Sequence, residues 1–188
     1  MRIIAISTPK VQRDDAYIIQ SLIDRGVYTV HLRKPESDVD ECRRLLSSLG
    51  EEYRARIVIH NYAELYSEFS LRGIHQNRDV VSLPAGYSGL RTRSCHSLEE
   101  VVQYKPNYDY LFLSPIFDSI SKVGYSSRFD AAELQRAADE GIIDDRVIAL
   151  GGVTLSRVAY LHSLGFGGAA MCGAIYNTEA LDSLKYLY

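Results

Sequence analysis

The sequence predicts a single α/β domain folded as a (β/α)₈ TIM barrel. Eight short runs rich in Ile, Val, Leu and Tyr alternate with longer amphipathic stretches, the pattern of parallel strands joined by helical crossovers. With 188 residues the chain is long enough for one sizeable core and too short for two ordinary domains, so we assign residues 1–188 to one domain. An open doubly wound sheet is the alternative, but so many short strands in so few residues favour closure into a barrel.

Each predicted strand is a short apolar run bounded by polar residues or glycine. The eight runs are residues 3–7, 28–32, 56–60, 73–75, 90–95, 108–113, 146–150 and 167–172.

The predicted helices fill the intervals between these strands, and some carry capping residues at their starts. Ser37 and Ser97 are placed to accept hydrogen bonds from first-turn amides, and Glu100 completes a capping box with Ser97. Residues 77–89 contain proline and glycine with weak periodicity, so the fourth crossover is predicted to be a degenerate helix, in effect a loop, which would suit a mobile lid. The helices are predicted at residues 14–24, 37–52, 63–70, 97–103, 130–140, 154–164 and 178–186.

Composition excludes several classes of protein. Hydrophobic residues make up 46% and charged residues 24%, as in soluble globular proteins, and the net charge of -3 disfavours a general nucleic-acid binder. No apolar stretch is long enough for a signal peptide or a membrane span, so we expect a cytoplasmic protein. The three cysteines are widely spaced, and we expect reduced thiols, two of them buried. The sequence leaves the oligomeric state open, a homo-oligomer included.

In a barrel of this kind the active site lies at the carboxyl ends of the strands. Strand seven is followed by Gly151 and Gly152, and strand eight by the small turn at Gly173. Paired glycines let backbone amides approach an anion, and these two turns form the usual phosphate site of the fold. A tight strand-to-helix turn without a ligand would use the same residues, but their position after the last two strands favours a small phosphorylated substrate.

Two cations are candidates for binding a phosphate or pyrophosphate. Arg33 follows the second strand, and Lys122 lies in a loop with Ser119, Ser121 and a flexible glycine. A rim salt bridge for Arg33 and a solvated loop lysine for Lys122 are the alternatives.

Four histidines fall near strand ends without the spacing of metal ligands in the sequence. For at least two of them we expect no more than a hydrogen-bonded position at the rim. They are His31, His60, His75 and His96.

The strand-end residues resemble the thiamine phosphate synthase and thiazole tautomerase family over most of the chain. The most specific stretch is residues 108–122, where Ser114-Pro115 is followed by Ser119-Ile120-Ser121-Lys122 in place of the synthase Thr-x-Thr-Lys. The other matching segments are residues 30–33, 57–61, 73–75, 93–100, 147–153 and 168–175.

The resemblance implies a synthase that joins a pyrimidine pyrophosphate to a thiazole phosphate, releases pyrophosphate and uses Mg²⁺. It implies that Arg33, Lys122 and Ser94 are catalytic. It places the substrates against His31, His60, Asn61, Ser119, Ser121, Gly151, Gly152 and Gly173.

Three departures from the family pattern weaken the expected binding of magnesium and pyrophosphate. His60-Asn61 stands where synthases have Asn-Asp, so one metal carboxylate is missing. The family's second metal carboxylate follows strand four, where this sequence is shortened and Asp79 is the candidate. His31 replaces a Gln and Pro35 a Lys, while Lys34 is predicted to point to the other side of the strand. Two alternatives therefore remain: a metal-independent thiazole tautomerase using His60 or His96, and a non-catalytic protein that binds thiazole or thiamine phosphate.

Overall fold

The protein is described by a computed structural model over residues 1–77, 82–118 and 128–176. Eight parallel strands pair in chain order and the eighth pairs back onto the first, so the predicted closed (β/α)₈ barrel is confirmed. Every strand lies within one or two residues of its predicted position. The strands are β1 (Arg2–Ile6), β2 (Thr29–Leu32), β3 (Ile57–Ile59), β4 (Gly73–Gln76), β5 (Leu90–Cys95), β6 (Tyr110–Leu113), β7 (Val147–Ala149) and β8 (Gly168–Met171).

Helices occupy the intervals between strands. They are α1 (Asp15–Asp24), α2 (Val39–Ser47), α3 (Glu51–Arg54), α4 (Leu65–Phe69), α5 (Leu98–Tyr104), α6 (Ala131–Asp139) and α7 (Val158–Ser163), with short 3₁₀ turns at Lys105–Asn107, Leu155–Arg157 and Gly173–Tyr176. The predicted helix at 178–186 lies outside the described residues.

One predicted helix is divided in two, and one of its caps was predicted wrongly. The stretch 37–52 forms α2 and α3, because the extended backbone of Gly50 interrupts it. Asp38, rather than Ser37, caps α2 in a reciprocal capping box with Glu41. The Ser37 hydroxyl instead accepts the amide of Val11, 2.8 Å away. Ser97 caps α5 as predicted, but the Glu100 carboxylate accepts the amide of His96 rather than that of Ser97, so the capping box predicted there is wrong.

Strand alternation gives the barrel two apolar clusters. The larger lies between the strands and the surrounding helices and includes Val30, Ile57 and Leu111. The smaller fills part of the barrel interior. Its buried members are Ile4, Ile6, Tyr110, Phe112, Ile148 and Ala170. The inward face is thus packed rather than hollow, which leaves the rim as the place for chemistry.

The fourth crossover contains no helix in its described part, Asn77 and residues 82–89. In the described ranges of the chain, no helix is long and apolar enough to cross a membrane.

Candidate active site at the rim of the barrel

The closed barrel brings most of the predicted site residues to a single rim. Because all strands are parallel, their carboxyl ends meet at one end of the barrel. The residues at or just beyond those ends are Arg33 after β2, His60 and Asn61 after β3, Ser94 in β5, Gly151 and Gly152 after β7, and Gly173 after β8. Asp79, Ser119, Ser121 and Lys122 lie outside the described residues, and their roles stay predictions.

The backbone of Arg33 is held by a serine at the end of the neighbouring strand. The Ser7 hydroxyl accepts the Arg33 amide at 2.8 Å and donates to the Arg33 carbonyl at 3.1 Å. The Arg33 residue itself is exposed. Its guanidinium is therefore accessible to a ligand at the rim, above a fixed backbone.

Lys34 lies in a different environment from its neighbour. Its ammonium is buried and donates to the Asp15 carboxylate at 2.6 Å, to the Lys10 carbonyl at 3.0 Å and to the Thr8 hydroxyl at 3.2 Å. Three acceptors occupy the three donors of the ammonium. Lys34 thus holds the loop between β1 and α1, and does not take the place of the family lysine at the rim.

Inside the barrel, below the rim, two histidines and a tyrosine form a hydrogen-bonded string. Nδ1 of His31 lies 2.8 Å from Nε2 of His60, and Nε2 of His31 lies 2.5 Å from the hydroxyl of Tyr110. His31 and Tyr110 are almost completely buried. The string therefore links the end of β3 to β6 through β2.

A second hydrogen-bonded string contains Ser94. Nε2 of His75 lies 3.1 Å from the Ser94 hydroxyl, and its Nδ1 lies 2.8 Å from the Thr92 hydroxyl. The ring of His75 stacks on that of His60, with centroids 4.0 Å apart and planes 11° apart. His75 thereby fixes the position of the Ser94 hydroxyl and packs the two strings together.

Burial keeps these three imidazoles neutral at pH 7. Desolvation is the first cause of the lowered pKa of each ring. The pKa of His75 falls to about 3, and the charges of Arg93 and Arg33 add to the effect of burial. At His60, electrostatic interactions with His75, His31 and Arg33 lower the pKa further.

The same histidines are the one group of three or more potential metal ligands among the described residues. Imidazole suits zinc, copper or nickel better than magnesium. All of these ring nitrogens except Nδ1 of His60 are already used in hydrogen bonds between rings or with hydroxyls, and two of the rings are stacked. The geometry is that of a hydrogen-bonded network.

Asn61 supplies an oxygen atom, which can accept a hydrogen bond or bind a cation, beside this network. Its Oδ1 is buried and has no hydrogen-bond partner in the described part of the chain. The side-chain amide of Asn77 donates to the His60 carbonyl at 2.9 Å, which ties the end of β3 to the segment after β4. An unpaired buried oxygen favours a cation or an N–H donor at this position.

The paired glycines after β7 are required by the packing of the loop after β6. Gly151 has φ +90°, and a Cβ there would lie 2.8 Å from the Cα of Pro115. Gly152 has φ +62°, and its Cβ would lie 2.4 Å from the carbonyl oxygen of Asp118. Side chains at either position would displace the loop that leads to residues 119–122. A role in phosphate binding would come in addition to this structural one.

Gly173 differs from these two glycines. A Cβ there would meet no described residue within 4 Å, and its φ is outside the left-handed region. The described part of the fold therefore does not require glycine here and leaves space beside this turn.

His96 lies at the exposed end of β5. Its Nδ1 donates to the Ser114 carbonyl at 3.0 Å and lies 3.3 Å from the Ser114 hydroxyl. His96 is one of the two histidines that the tautomerase alternative would use for acid/base chemistry.

Sequence reasoning missed three contributors to the site. Tyr110 is not among the predicted site residues, yet its hydroxyl bonds His31. Thr92 and Ser7 were not considered, yet they position His75 and Arg33. The available signal was strand alternation, because residues 92, 94 and 110, 112 fall on inward positions of their strands.

Comparisons with known proteins agree with this architecture. The sequence profile of the family described as "Thiamine monophosphate synthase" matches residues 3–175. A thiamine-phosphate synthase of Serratia proteamaculans is 31% identical over 180 residues, which is 90% of this chain and 82% of that protein. The corresponding enzyme of Photorhabdus laumondii is 32% identical over 173 residues, 87% of this chain and 79% of its own.

Two solved structures are also similar to this chain. The crystal structure of thiamine phosphate pyrophosphorylase from Bacteroides thetaiotaomicron has 36% sequence identity and a TM-score of 0.87, covering 100% of this chain and 98% of that one. The thiamine phosphate pyrophosphorylase from Pyrococcus furiosus has a TM-score of 0.73 at 15% identity, covers 99% of this chain and 93% of its own, and shows the fold alone.

Proposed function

The chain belongs to the thiamine monophosphate synthase family, and we propose that it joins a hydroxymethylpyrimidine pyrophosphate to a thiazole phosphate. The products are thiamine phosphate and pyrophosphate. The observation that carries the proposal is the likeness to the Bacteroides thetaiotaomicron pyrophosphorylase over the whole chain at 36% identity. The relatives described above are named thiamine-phosphate synthase or thiamine phosphate pyrophosphorylase, and none of them is named a tautomerase.

The reaction needs charge stabilisation more than proton transfer. The bond between the pyrimidine methylene and the pyrophosphate oxygen breaks, and its electron pair leaves with the pyrophosphate. The thiazole nitrogen then forms the new C–N bond with its lone pair. Groups that stabilise the charge of the departing pyrophosphate therefore lower the barrier. Arg33, whose side chain is exposed, is proposed for this role, and Lys122 is proposed as the second cation.

Binding of the pyrimidine part is assigned to the side of the rim formed by β2 to β5. The Ser94 hydroxyl, oriented by His75, is proposed to contact the pyrimidine and its pyrophosphate. His60 and Asn61 lie at the end of β3 on the same side, and His31 acts from beneath His60.

Binding of the thiazole phosphate is assigned to the opposite side of the rim. Gly151 and Gly152 would present backbone amides, and the open space beside Gly173 would accommodate the phosphate. Ser119 and Ser121 are proposed to add hydroxyl donors.

Magnesium is the cofactor expected for this reaction, and one observation supports a site for it. The unpaired buried Oδ1 of Asn61 is an oxygen ligand of the kind that Mg²⁺ accepts. We place the ion with Asn61 and Asp79, whose carboxylate is the charged ligand that the family position of Asn61 lacks. When bound, Mg²⁺ would neutralise charge on the pyrophosphate.

A direct assay tests the proposal. Incubation with both substrates and Mg²⁺ is expected to release pyrophosphate and yield thiamine phosphate, detected by mass spectrometry, with loss of activity after chelation of the metal. No pyrophosphate release would reject the synthase. Metal-independent isomerisation of a thiazole phosphate carboxylate would identify a tautomerase, and binding without turnover would identify a binding protein.

The remaining expectations concern location and assembly. No disulfide joins the described cysteines Cys42, Cys95 and Cys172, which suits the reducing cytoplasm. We place the enzyme there. A homo-oligomer is a further expectation, to be tested by light scattering.

A further inference from the structure

The string from Tyr110 through His31 to His60 has a direction, which follows from the hydrogen-bonding capacity of its members. Among the described residues, the hydroxyl of Tyr110 has one hydrogen-bond partner, Nε2 of His31. Tyr110 is 1% exposed, so its O–H hydrogen would be left without an acceptor unless it is donated to that nitrogen. Nε2 of His31 must then be the bare, accepting nitrogen.

The remaining proton positions follow in sequence. A neutral imidazole carries one N–H, so His31 bears its proton on Nδ1 and donates to Nε2 of His60 across 2.8 Å. Nε2 of His60 is therefore an acceptor, and the proton of His60 is on Nδ1. Because Nε2 of each ring accepts a hydrogen bond, each ring carries only its Nδ1 proton and is neutral.

Nδ1 of His60 is the open end of the string. Among the described residues this nitrogen makes no hydrogen bond. It is not one of the completely buried side-chain atoms that lack a partner, so it has access to solvent at the rim. The residue His60 is 4% exposed, whereas His31 is completely buried. The rim at this point is where the proposed function places the pyrophosphate.

We propose that His60 presents a fixed Nδ1–H donor to a pyrophosphate oxygen of the substrate, and that Tyr110 and His31 are positioning residues that lock His60 in this tautomer. The assignment rests on the proposed function for the identity of the ligand, and on the described hydrogen bonds for the tautomer. His60 needs no positive charge to bind the anion, because a neutral N–H can donate a hydrogen bond to a phosphoryl oxygen.

The donor is not a proton source. Transfer of the Nδ1 proton to the leaving group would draw the His31 proton onto His60 and the Tyr110 proton onto His31. That shift ends in a buried phenolate. Burial raises the pKa of Tyr110 far above its ordinary range, so the proton stays on the hydroxyl and His60 orients the pyrophosphate without protonating it.

Nitrogen-15 NMR of the imidazole side chains of the full-length protein tests the tautomer without any substrate. Two-bond couplings at neutral pH are expected to show protonated Nδ1 and bare Nε2 for both His31 and His60. Tyr110→Phe removes the O–H that sets the direction, and is expected to give mixed tautomers. Tyr28→Phe is the matched control, because Tyr28 is a partly buried tyrosine whose hydroxyl makes no hydrogen bond in the described chain. This control is expected to leave the spectrum unchanged. A bare Nδ1 on His60 in the unaltered protein overturns the proposal.

Titration with inorganic pyrophosphate and Mg²⁺ tests the ligand. The His60 Nδ1–H signal is expected to shift on binding, and His60→Ala is expected to weaken binding roughly threefold to tenfold. His60→Asn keeps an N–H donor near the Nδ1 position and is expected to restore most of the affinity. Pyrophosphate binding that leaves the His60 signal unmoved overturns the assignment. If the synthase assay fails while these signals behave as expected, the proposed function falls and the donor assignment stands.

Discussion

The two halves of the barrel interior are built by the same strand alternation and differ in what fills them. The half formed by β2 to β5 contains hydrogen-bonding groups. The other half, formed by β1 and β6 to β8, is mainly apolar. The polar side chains are His31, His60, His75, Thr92 and Ser94, and the apolar ones are Ile4, Ile6, Phe112, Ile148 and Ala170.

The difference separates two ways of stabilising a closed barrel. In the apolar half, side chains have to match in volume, since dispersion contacts and burial have little directional preference. In the polar half, each ring nitrogen needs a partner of the right kind, because a buried group left unpaired costs free energy. The polar half thereby holds Ser94 and His60 in set positions beneath the proposed pyrophosphate. Four substitutions or conditions test this comparison.

The largest effect is expected where the two halves meet, at the loop between β1 and α1. Asp15→Ala removes the carboxylate that pairs with Lys34, whose side chain is 1% exposed. A buried ammonium without a counter-charge is expected to lower the free energy of unfolding by about 3–5 kcal/mol. Urea denaturation measures this, and removing Lys34 in the same chain should recover part of the loss. An unchanged stability would show that the pair is solvated.

Shortening a side chain in the apolar half is expected to affect stability and leave binding intact. Ile148→Ala, at a completely buried position, is expected to cost about 2–5 kcal/mol, and Ile148→Val about 0.5–1.5 kcal/mol. Pyrophosphate affinity of the folded variants is expected to stay within twofold of the parent. A large affinity loss in Ile148→Val would contradict the division of roles between the halves.

The corresponding change in the polar half is expected to affect both properties. Thr92→Val keeps the shape but leaves Nδ1 of His75 without its partner, at an expected cost of about 1–3 kcal/mol. Because His75 also orients Ser94, the turnover rate is expected to fall more than the Michaelis constant changes. Thr92→Ser, which keeps the hydroxyl, is the control and should remain close to the parent in both measurements.

Acidification is expected to destabilise the polar half selectively. Histidine in the unfolded chain titrates near about 6.5, whereas the folded pKa values of His31 and His75 lie below that. Below pH 6.5 the unfolded chain therefore binds more protons than the folded one, and stability falls as pH falls. For His75 the loss continues to its folded pKa of about 3.

Each ring is expected to contribute at most about 1.4 kcal/mol for each pH unit below 6.5. Urea midpoints measured between pH 7.5 and 5.5 check this. Ile148→Val, which changes the apolar half without altering a histidine, is the control and should leave the slope unchanged. A flat profile over this range would mean that the histidines are accessible to water.

The fold was predictable from the sequence because its signals are local. Apolar runs such as residues 110–113 and 147–149 are short, regularly spaced and separated by helical stretches, which specifies parallel strands in order. Once the strands are parallel, Arg33, Asn61 and Gly151 must share a rim. Local competition limited the detail: Asp38 took the cap predicted for Ser37 because its neighbour Glu41 completes a capping box.

The sequence by itself thus determined the barrel and the identity of the residues along its rim. Tertiary structure alone decided which of them touch. His31 and His60 are 29 positions apart and His31 and Tyr110 are 79 apart, so no spacing along the chain indicates that they bond. Closure of the sheet faces β2 toward β6 across the interior, and the stagger of the strands sets which inward side chains share a level. That stagger is a property of all eight strands together, and no single segment carries it.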